Sequence, residues 1–177
     1  MATQLAEALE ILSRTPDTLT SLVQGLSPKW LNGTEGPETW SPYDVVGHMV
    51  NAETTNWMVR LNIILDHGES KPFTPFDRFA HKQTSQGKSV EMLLQEFARL
   101  RQQNMDTLRS YNLTEADFET LGQHPEFGQV KLGELLATWV VHDLSHIRQI
   151  VRVMAKQYTV EVGPWQAYLP IFKEGKS

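Results

Sequence analysis

The sequence predicts an all-α fold: a four-helix bundle with a long crossover connection and short extra helical turns. Four stretches carry apolar residues at intervals of three and four, the spacing that places them on one face of a helix. The alternation of apolar and polar residues that is typical of a strand occurs only around residues 158–162. Four amphipathic helices of similar length can bury their apolar faces against one another, which predicts a bundle.

Proline and serine mark the limits of the first two helices. Apolar residues run at helical spacing from Leu5 to Leu26, and the helix is expected to restart at Thr15, which caps it ahead of Pro16. Residues 27–40 hold two prolines and two glycines and are expected to form a loop. Ser41 then caps a second helix with proline in its first turn, and this helix should run to about residue 68.

The second half of the chain contains the other two long helices. Residues 69–88 are expected to form the irregular crossover, and the third helix begins near Ser89. A short capped turn at Thr114 and a loop at residues 124–128 precede the last helix, which should extend from about Leu132 to Lys156.

Composition excludes several classes of protein. The chain has 177 residues, 40% apolar and 21% charged, which favours one globular domain over residues 1–177. Its net charge of -5 and its lack of a basic run disfavour nucleic acid as a partner. No stretch approaches the roughly 18 apolar residues of a membrane span, and the N-terminal residues lack a signal-peptide pattern, so we expect a cytoplasmic protein. Without cysteine, a metal site must use histidine, carboxylates or water.

Three histidines are candidate metal ligands. His142 and His146 lie one turn apart on the last helix, so their rings can approach one ion at about 2.1 Å. Both lie at the core-facing edge of that helix, where two imidazoles need a polar partner or a metal. His48 lies on the apolar face of the second helix and can supply a third ring. The alternative is that these histidines only pack in the core and bind no metal.

Further polar residues lie near these faces. Glu53 and Asp143 also project toward the core and are candidate proton handlers or orienting groups; Asp143 could contact a histidine or pair with Arg60. His81 is expected to be solvated, and the loop that carries His124 could fold over the mouth of the bundle.

Three segments resemble the DinB/YfiT-like family of metalloenzymes. They are WSP at 40–42 with His48 downstream, HPEFG at 124–128, and LLATWVVHDLSHIRQI at 135–150. The resemblance spans nearly the whole chain. It implies a four-helix bundle in which His48, His142 and His146 bind one divalent metal ion, zinc or nickel. Characterised members include thiol-dependent transferases and isomerases, so it also implies a small-molecule substrate and a low-molecular-weight thiol as cosubstrate.

Several functions remain open at this point. Three neutral imidazoles leave a coordination position free, which is typical of catalytic sites, and a metal-dependent transferase that uses a thiol is the leading interpretation. The alternatives are a hydrolase that uses metal-bound hydroxide, and a bundle that binds metal and ligand without catalysis. A homodimer could form through an exposed apolar face of the first helix.

Overall fold

The computed structural model describes residues 2–173 and consists mainly of helices. The α-helices are α1 (Thr3–Leu12), α2 (Thr15–Val23), α3 (Pro28–Asn32), α4 (Pro42–Thr55), α5 (Trp57–His67), α6 (His81–Thr84), α7 (Val90–Ser110), α8 (Leu132–Lys156) and α9 (Thr159–Val162). A hairpin of β1 (Leu121–His124) and β2 (Gly128–Lys131) precedes α8, and 3-10 turns occupy Gly68–Ser70, Asp117–Glu119, Gly163–Tyr168 and Pro170–Phe172. The predicted all-α bundle with short extra turns is confirmed. The expected domain also includes residues 1 and 174–177, which lie outside the described residues.

Four helical rods form the bundle. The first rod is α1 followed by α2, the second is α4 followed by α5, and α7 and α8 are the third and fourth. The second rod contacts both α7 and α8, while α1 packs on α8 and α2 packs on α7. The predicted restart of the first helix at Thr15 and the predicted limits of α8 are both confirmed. The expectation that Thr15 caps the helix was wrong, because Arg14 occupies the cap position and the Thr15 hydroxyl donates to the Ile11 carbonyl (3.3 Å).

The core consists of two clusters of buried apolar side chains. The first surrounds Trp57 and Trp139, and the second surrounds Val45 and Phe97. Because α4 and α8 contribute residues to both clusters, side chains in the middle of these helices lie between the two. Within residues 2–173, no helix combines the length and the apolar character needed to cross a membrane.

The second rod begins as predicted but is interrupted. Ser41 Oγ accepts a hydrogen bond from the Asp44 amide (3.2 Å), and the Asp44 carboxylate accepts one from the Ser41 amide (2.9 Å), which makes a capping box. The helix then breaks at Asn56, where φ is -116° and ψ is -73°. The hydroxyls of Thr54 and Thr55 donate to carbonyls four residues earlier, a contact that bends helices. The expectation of one uninterrupted helix was therefore wrong.

The strand prediction was also wrong. Residues 159–162 form helix α9, whereas the two strands lie at residues 121–124 and 128–131, on either side of the predicted loop, and were not predicted. Gly128 closes the hairpin with a φ of 75°, a conformation that glycine adopts without strain. Each strand has four residues, too few for a pattern of alternation to be visible in the sequence.

The crossover segment contains one short helix, α6, which packs closely on α4. Gly47 permits this approach, because a Cβ atom at that position would overlap Ser85 Oγ just after α6. His81, the first residue of α6, is buried with 1% of its surface exposed. The expectation that His81 would be solvated was therefore wrong, and the close packing of α6 on α4 explains why.

Candidate metal centre

The structure brings His48, His142 and His146 together. His48 projects from α4, and the other two project from α8. The Nε2 atom of His142 lies 3.2 Å from that of His48 and 3.1 Å from that of His146. One ligand atom from each ring lies within 4.8 Å of the others. Two nitrogens about 2.1 Å from one tetrahedral ion stand about 3.4 Å apart, so this spacing fits a single metal ion.

Hydrogen-bond acceptors beside two of the rings determine which ring nitrogen carries the hydrogen. His48 Nδ1 donates to the carbonyl oxygen of Arg78 (3.3 Å), and His146 Nδ1 donates to the side-chain carbonyl of Gln149 (2.8 Å). Both partners are acceptors, so the hydrogen of each neutral ring is assigned to Nδ1 and its Nε2 lone pair points at His142. This arrangement of a metal-ligating histidine and an outer acceptor is common in metal sites.

The inward nitrogens lack enough hydrogens to satisfy one another. A neutral His142 ring carries at most one hydrogen on Nε2, which can be donated to His48 or to His146 but not to both. At least one of the two short contacts then places a lone pair against a lone pair. A cation among the three nitrogens would accept all of these lone pairs, so the donor set fits a metal ion better than a hydrogen-bonded cluster.

Burial keeps two of the rings neutral. Burial, followed by the neighbouring His146 and His142 rings, lowers the pKa of His48 to about 3. Burial, followed by the His142 ring, lowers the pKa of His146 to about 4. Metal binding requires unprotonated imidazole, and these two rings meet that requirement well below neutral pH.

Aromatic side chains hold the imidazoles in place. The Trp40 ring lies 4.7 Å from the His48 ring and is nearly parallel to the His146 ring at 6.3 Å. Trp57 contacts His142 edge to face at 4.9 Å. The His142 side chain is 20% exposed, so the cluster can be reached from solvent.

A buried ion network lies beside the three histidines. Arg101 of α7 donates to Glu53 of α4 (2.7 Å) and to Asp143 of α8 (2.6 Å). Glu53 also accepts from Trp139 Nε1 (3.2 Å) and from the Asn104 side chain (2.9 Å). The candidate residues Glu53 and Asp143 are thus 3% and 1% exposed and fully engaged with Arg101.

The network reaches the histidines through Asp143. Its carboxylate lies 3.8 Å from His142 Nδ1, longer than a hydrogen bond, and this nitrogen has no hydrogen-bond partner among the described residues. Burial opposes the ionisation of Asp143, but His142 and Arg101 together outweigh it and lower the pKa of the carboxyl group. An ionised Asp143 therefore faces the outer edge of His142.

Sequence reasoning missed Arg101 and placed Arg60 incorrectly. The partner of Asp143 is Arg101, while the Arg60 guanidinium lies 5.2 Å from the Phe73 ring. The sequence spacing could have predicted a buried role for Arg101, because Arg101 lies in line with Phe97 and Leu108 on the apolar face of α7. A cation on such a face needs buried partners of opposite charge.

His124 and His81 occupy different surroundings. His124 lies in the hairpin, stacked on Phe127 at 4.4 Å. His81 donates from Nδ1 to the Arg78 carbonyl (3.0 Å), the same oxygen that accepts from His48. Arg78 thus links α6 to the histidine cluster through its backbone.

Two adjoining cavities lead to the cluster. One of about 710 Å³ and one of about 290 Å³ share Trp40, Arg78 and Gln149 in their walls, and the smaller one reaches His146. These volumes suit a small molecule.

The fold and the site together define a class of protein: a four-helix bundle with three convergent histidines, one of which lines a cavity. The sequence model of the DinB superfamily matches residues 11–150, and the chain belongs to that superfamily. A solved structure, that of YfiT from Bacillus subtilis, is similar to this chain with a TM-score of 0.72 and 20% identity over 88% of this chain and 89% of that chain. It is described as a probable metal-dependent hydrolase with an unusual four-helix bundle topology, and the likeness shows the shared fold. No curated protein matches the sequence significantly.

Proposed function

We propose that this protein is a metal-dependent enzyme that acts on a small molecule, with His48, His142 and His146 as the ligands of one divalent ion. The observation that carries the proposal is the convergence of three Nε2 atoms from two helices, with separations of 3.1 and 3.2 Å to His142. Three neutral nitrogen donors suit zinc or nickel, and we keep both as predictions.

The bound ion would polarise a substrate oxygen or lower the pKa of a bound water or thiol. The chain's own residues prepare the site for this chemistry. Gln149 and the Arg78 carbonyl keep the hydrogens of His146 and His48 on their outer nitrogens. Asp143 faces His142 as an orienting group, and Glu53 acts on it only through Arg101; their ion pairs leave neither carboxylate free to exchange protons with a substrate.

Hydrolysis is the reaction that we favour. Support comes from YfiT, which has the same fold and is described as a probable metal-dependent hydrolase. Transfer to a low-molecular-weight thiol, implied by the family resemblance, is the alternative. The homodimer and the cytoplasmic location also stay predictions.

Metal uptake by protein purified without a polyhistidine tag is the first test. Wild-type protein dialysed against zinc or nickel should retain about one ion per chain, and His142→Ala should retain much less, because truncating one ring removes one of three ligands. The matched control is His67→Ala, which removes an exposed histidine at the end of α5. Equal uptake by wild type and His142→Ala would overturn the metal site.

Turnover with and without a thiol separates the two reactions. Metal-loaded protein is incubated with a panel of small esters and amides, in the presence and absence of a low-molecular-weight thiol. Thiol-independent product that is lost in His142→Ala supports hydrolysis, whereas strictly thiol-dependent product supports transfer. Stoichiometric metal and a bound ligand with no product across the panel would favour a non-catalytic binding protein.

A further inference from the structure

The cavity beside the histidines has a positively charged wall. Arg78 and Lys82 line the larger cavity together with Trp40 and Phe79, in a chain whose net charge is -5. Glu38 is the one carboxylate among the residues that line it, and neither Arg78 nor Lys82 forms an ion pair with any residue between 2 and 173. Two cations therefore face the cavity without a carboxylate partner.

Aromatic rings hold the Arg78 guanidinium in position. Its Cζ lies 5.2 Å from the centre of the Trp40 ring and 5.3 Å from the centre of the Phe79 ring. Lys82 Nζ lies 5.4 Å from the same Phe79 ring, which places both cations beside one aromatic side chain. A guanidinium stacked in this way keeps its N–H groups available at its edge, where they can donate two parallel hydrogen bonds to a carboxylate or a phosphate.

The charged wall and His146 border two adjoining cavities that share Trp40, Arg78 and Gln149. The Trp40 ring lies against the Arg78 guanidinium and is nearly parallel to the His146 ring. Arg78 and His146 both line the smaller cavity. Gln149 lines both cavities, and its side-chain carbonyl is engaged by His146, which leaves its amide N–H groups as donors for a bound molecule. A small molecule in the smaller cavity can thus touch Arg78 and His146 at once.

We infer that the substrate is a small organic anion, in which a carboxylate or phosphate group on an apolar body binds Arg78 and Lys82 while the reacting end reaches the three histidines. The placement of the reacting end at the histidines rests on the proposed function. The binding of the anionic group rests only on the positively charged wall. Phe79, which is 51% exposed, supplies most of the apolar surface for the body of the molecule, because Trp40 also lines the cavity but is only 7% exposed. Specificity for the anion then resides mainly in the Arg78 side chain.

Binding of matched aromatic probes tests the anion site. Benzoate and phenyl phosphate carry the two candidate groups, and benzamide is the neutral analogue of benzoate. Dissociation constants are measured by NMR titration of metal-free protein, so that coordination of the anion to a metal cannot contribute. We expect at least one anion to bind about tenfold or more tightly than benzamide, because charge-assisted hydrogen bonds are worth at least that ratio. The anion that binds more tightly identifies the group.

Variants assign the preference to Arg78. Arg78→Gln should reduce the preference for the anion to about twofold or less, and Arg78→Lys should keep part of it because the charge remains. Arg99→Gln is the matched control, since Arg99 is an exposed arginine on α7 that contacts Gln103. Equal binding of anion and benzamide by wild type, or a preference that survives in Arg78→Gln, would overturn the inference.

The outcomes are independent of those that test the metal site. The same titration of His142→Ala should preserve the preference for the anion, because the Arg78 side chain is untouched. Metal uptake without selectivity for anions would overturn this inference and leave the proposed function standing. Selectivity for anions without metal uptake would overturn the proposed function and leave the anion site standing.

Discussion

Arg101 carries a charge that the protein can bury only because two carboxylates neutralise it. Its pKa is raised, since Glu53 and Asp143 outweigh the effect of burial. Replacing Arg101 with methionine would leave both carboxylates buried without a counter-ion, which typically costs about 3–5 kcal/mol of unfolding free energy. Urea unfolding measures the loss. The exposed Arg99 on the same helix is the control, and Arg99→Met should change stability by less than about 0.5 kcal/mol. Similar small losses in both variants would contradict this account.

The histidine cluster should make stability depend on pH in the metal-free protein. The pKa of His48 is lowered to about 3 and that of His146 to about 4, whereas an unfolded imidazole titrates near 6.5. The unfolded chain therefore takes up protons first as the pH falls. Stability is fully present above about pH 7 and falls as the pH drops from about 6.5, by up to about 1.4 kcal/mol per pH unit for each ring.

Urea unfolding between pH 7.5 and pH 5 measures this slope. That range lies above the ordinary pKa values of aspartate and glutamate side chains and spans the ordinary pKa of imidazole, so it is chosen to report on the histidines. Because the His48→Gln variant lacks one titrating ring, its stability should fall less steeply with pH than that of wild type. Identical slopes in the two proteins would contradict the lowered pKa of His48.

At this scale the sequence predicts ligands better than their surroundings. Two histidines one turn apart on a core-facing edge follow from helix geometry, and the structure brings His48 to them as expected. Neither Arg101 nor the burial of His81 was predicted. Both depend on which helices pack against each other, because Arg101 finds its partners on two other rods and His81 is covered by α4.

The contact between α4 and α6 can be tested at Gly47. A Cβ atom there would overlap Ser85 Oγ, so Gly47→Ala should push α6 away from α4 and cost about 1–3 kcal/mol of unfolding free energy. The Arg78 carbonyl, which precedes α6 and accepts from His48, would also shift and weaken metal binding. Urea unfolding and metal titration report the two effects.

A second substitution separates steric overlap from other effects of alanine. Ser85 Oγ has no hydrogen-bond partner among the described residues, so Ser85→Ala alone should be nearly neutral. Combined with Gly47→Ala it removes the overlapping atom and should recover most of the lost stability. A double variant as unstable as Gly47→Ala would show that the overlap is not the cause.

Long elements with clear ends were predicted well, and short ones were not. The limits of α8 followed from 25 residues of apolar periodicity between a loop and a cluster of polar residues. The break at Asn56 was hidden, because the apolar pattern continues through it into α5. The hairpin was missed because its formation depends on tertiary contacts, such as Gly122 packing against Ile64 and Phe73.

For the whole molecule, the histidine cluster and the Arg101 network lie where two core clusters meet. The Arg101 guanidinium contacts Phe97 of one cluster at 4.8 Å and Trp139 of the other at 5.3 Å. Both polar groups join the second rod to the fourth. If residues 1–177 form one domain, the two clusters should unfold together, in a transition that has the same midpoint by far-UV circular dichroism and by tryptophan fluorescence.

Metal loading should then stabilise both apolar core clusters equally. An ion at 100 times its dissociation constant adds about 2.7 kcal/mol to a protein that binds it only when folded. For a chain of this size we expect the thermal midpoint to rise by about 5–10 °C with both probes. Because His142→Ala lacks a ligand, its midpoint should hardly move on addition of metal, while that of His67→Ala should move as in wild type. A shift seen by only one probe would mean that the ion stabilises one part of the bundle alone, and the prediction of a single cooperative domain would be wrong.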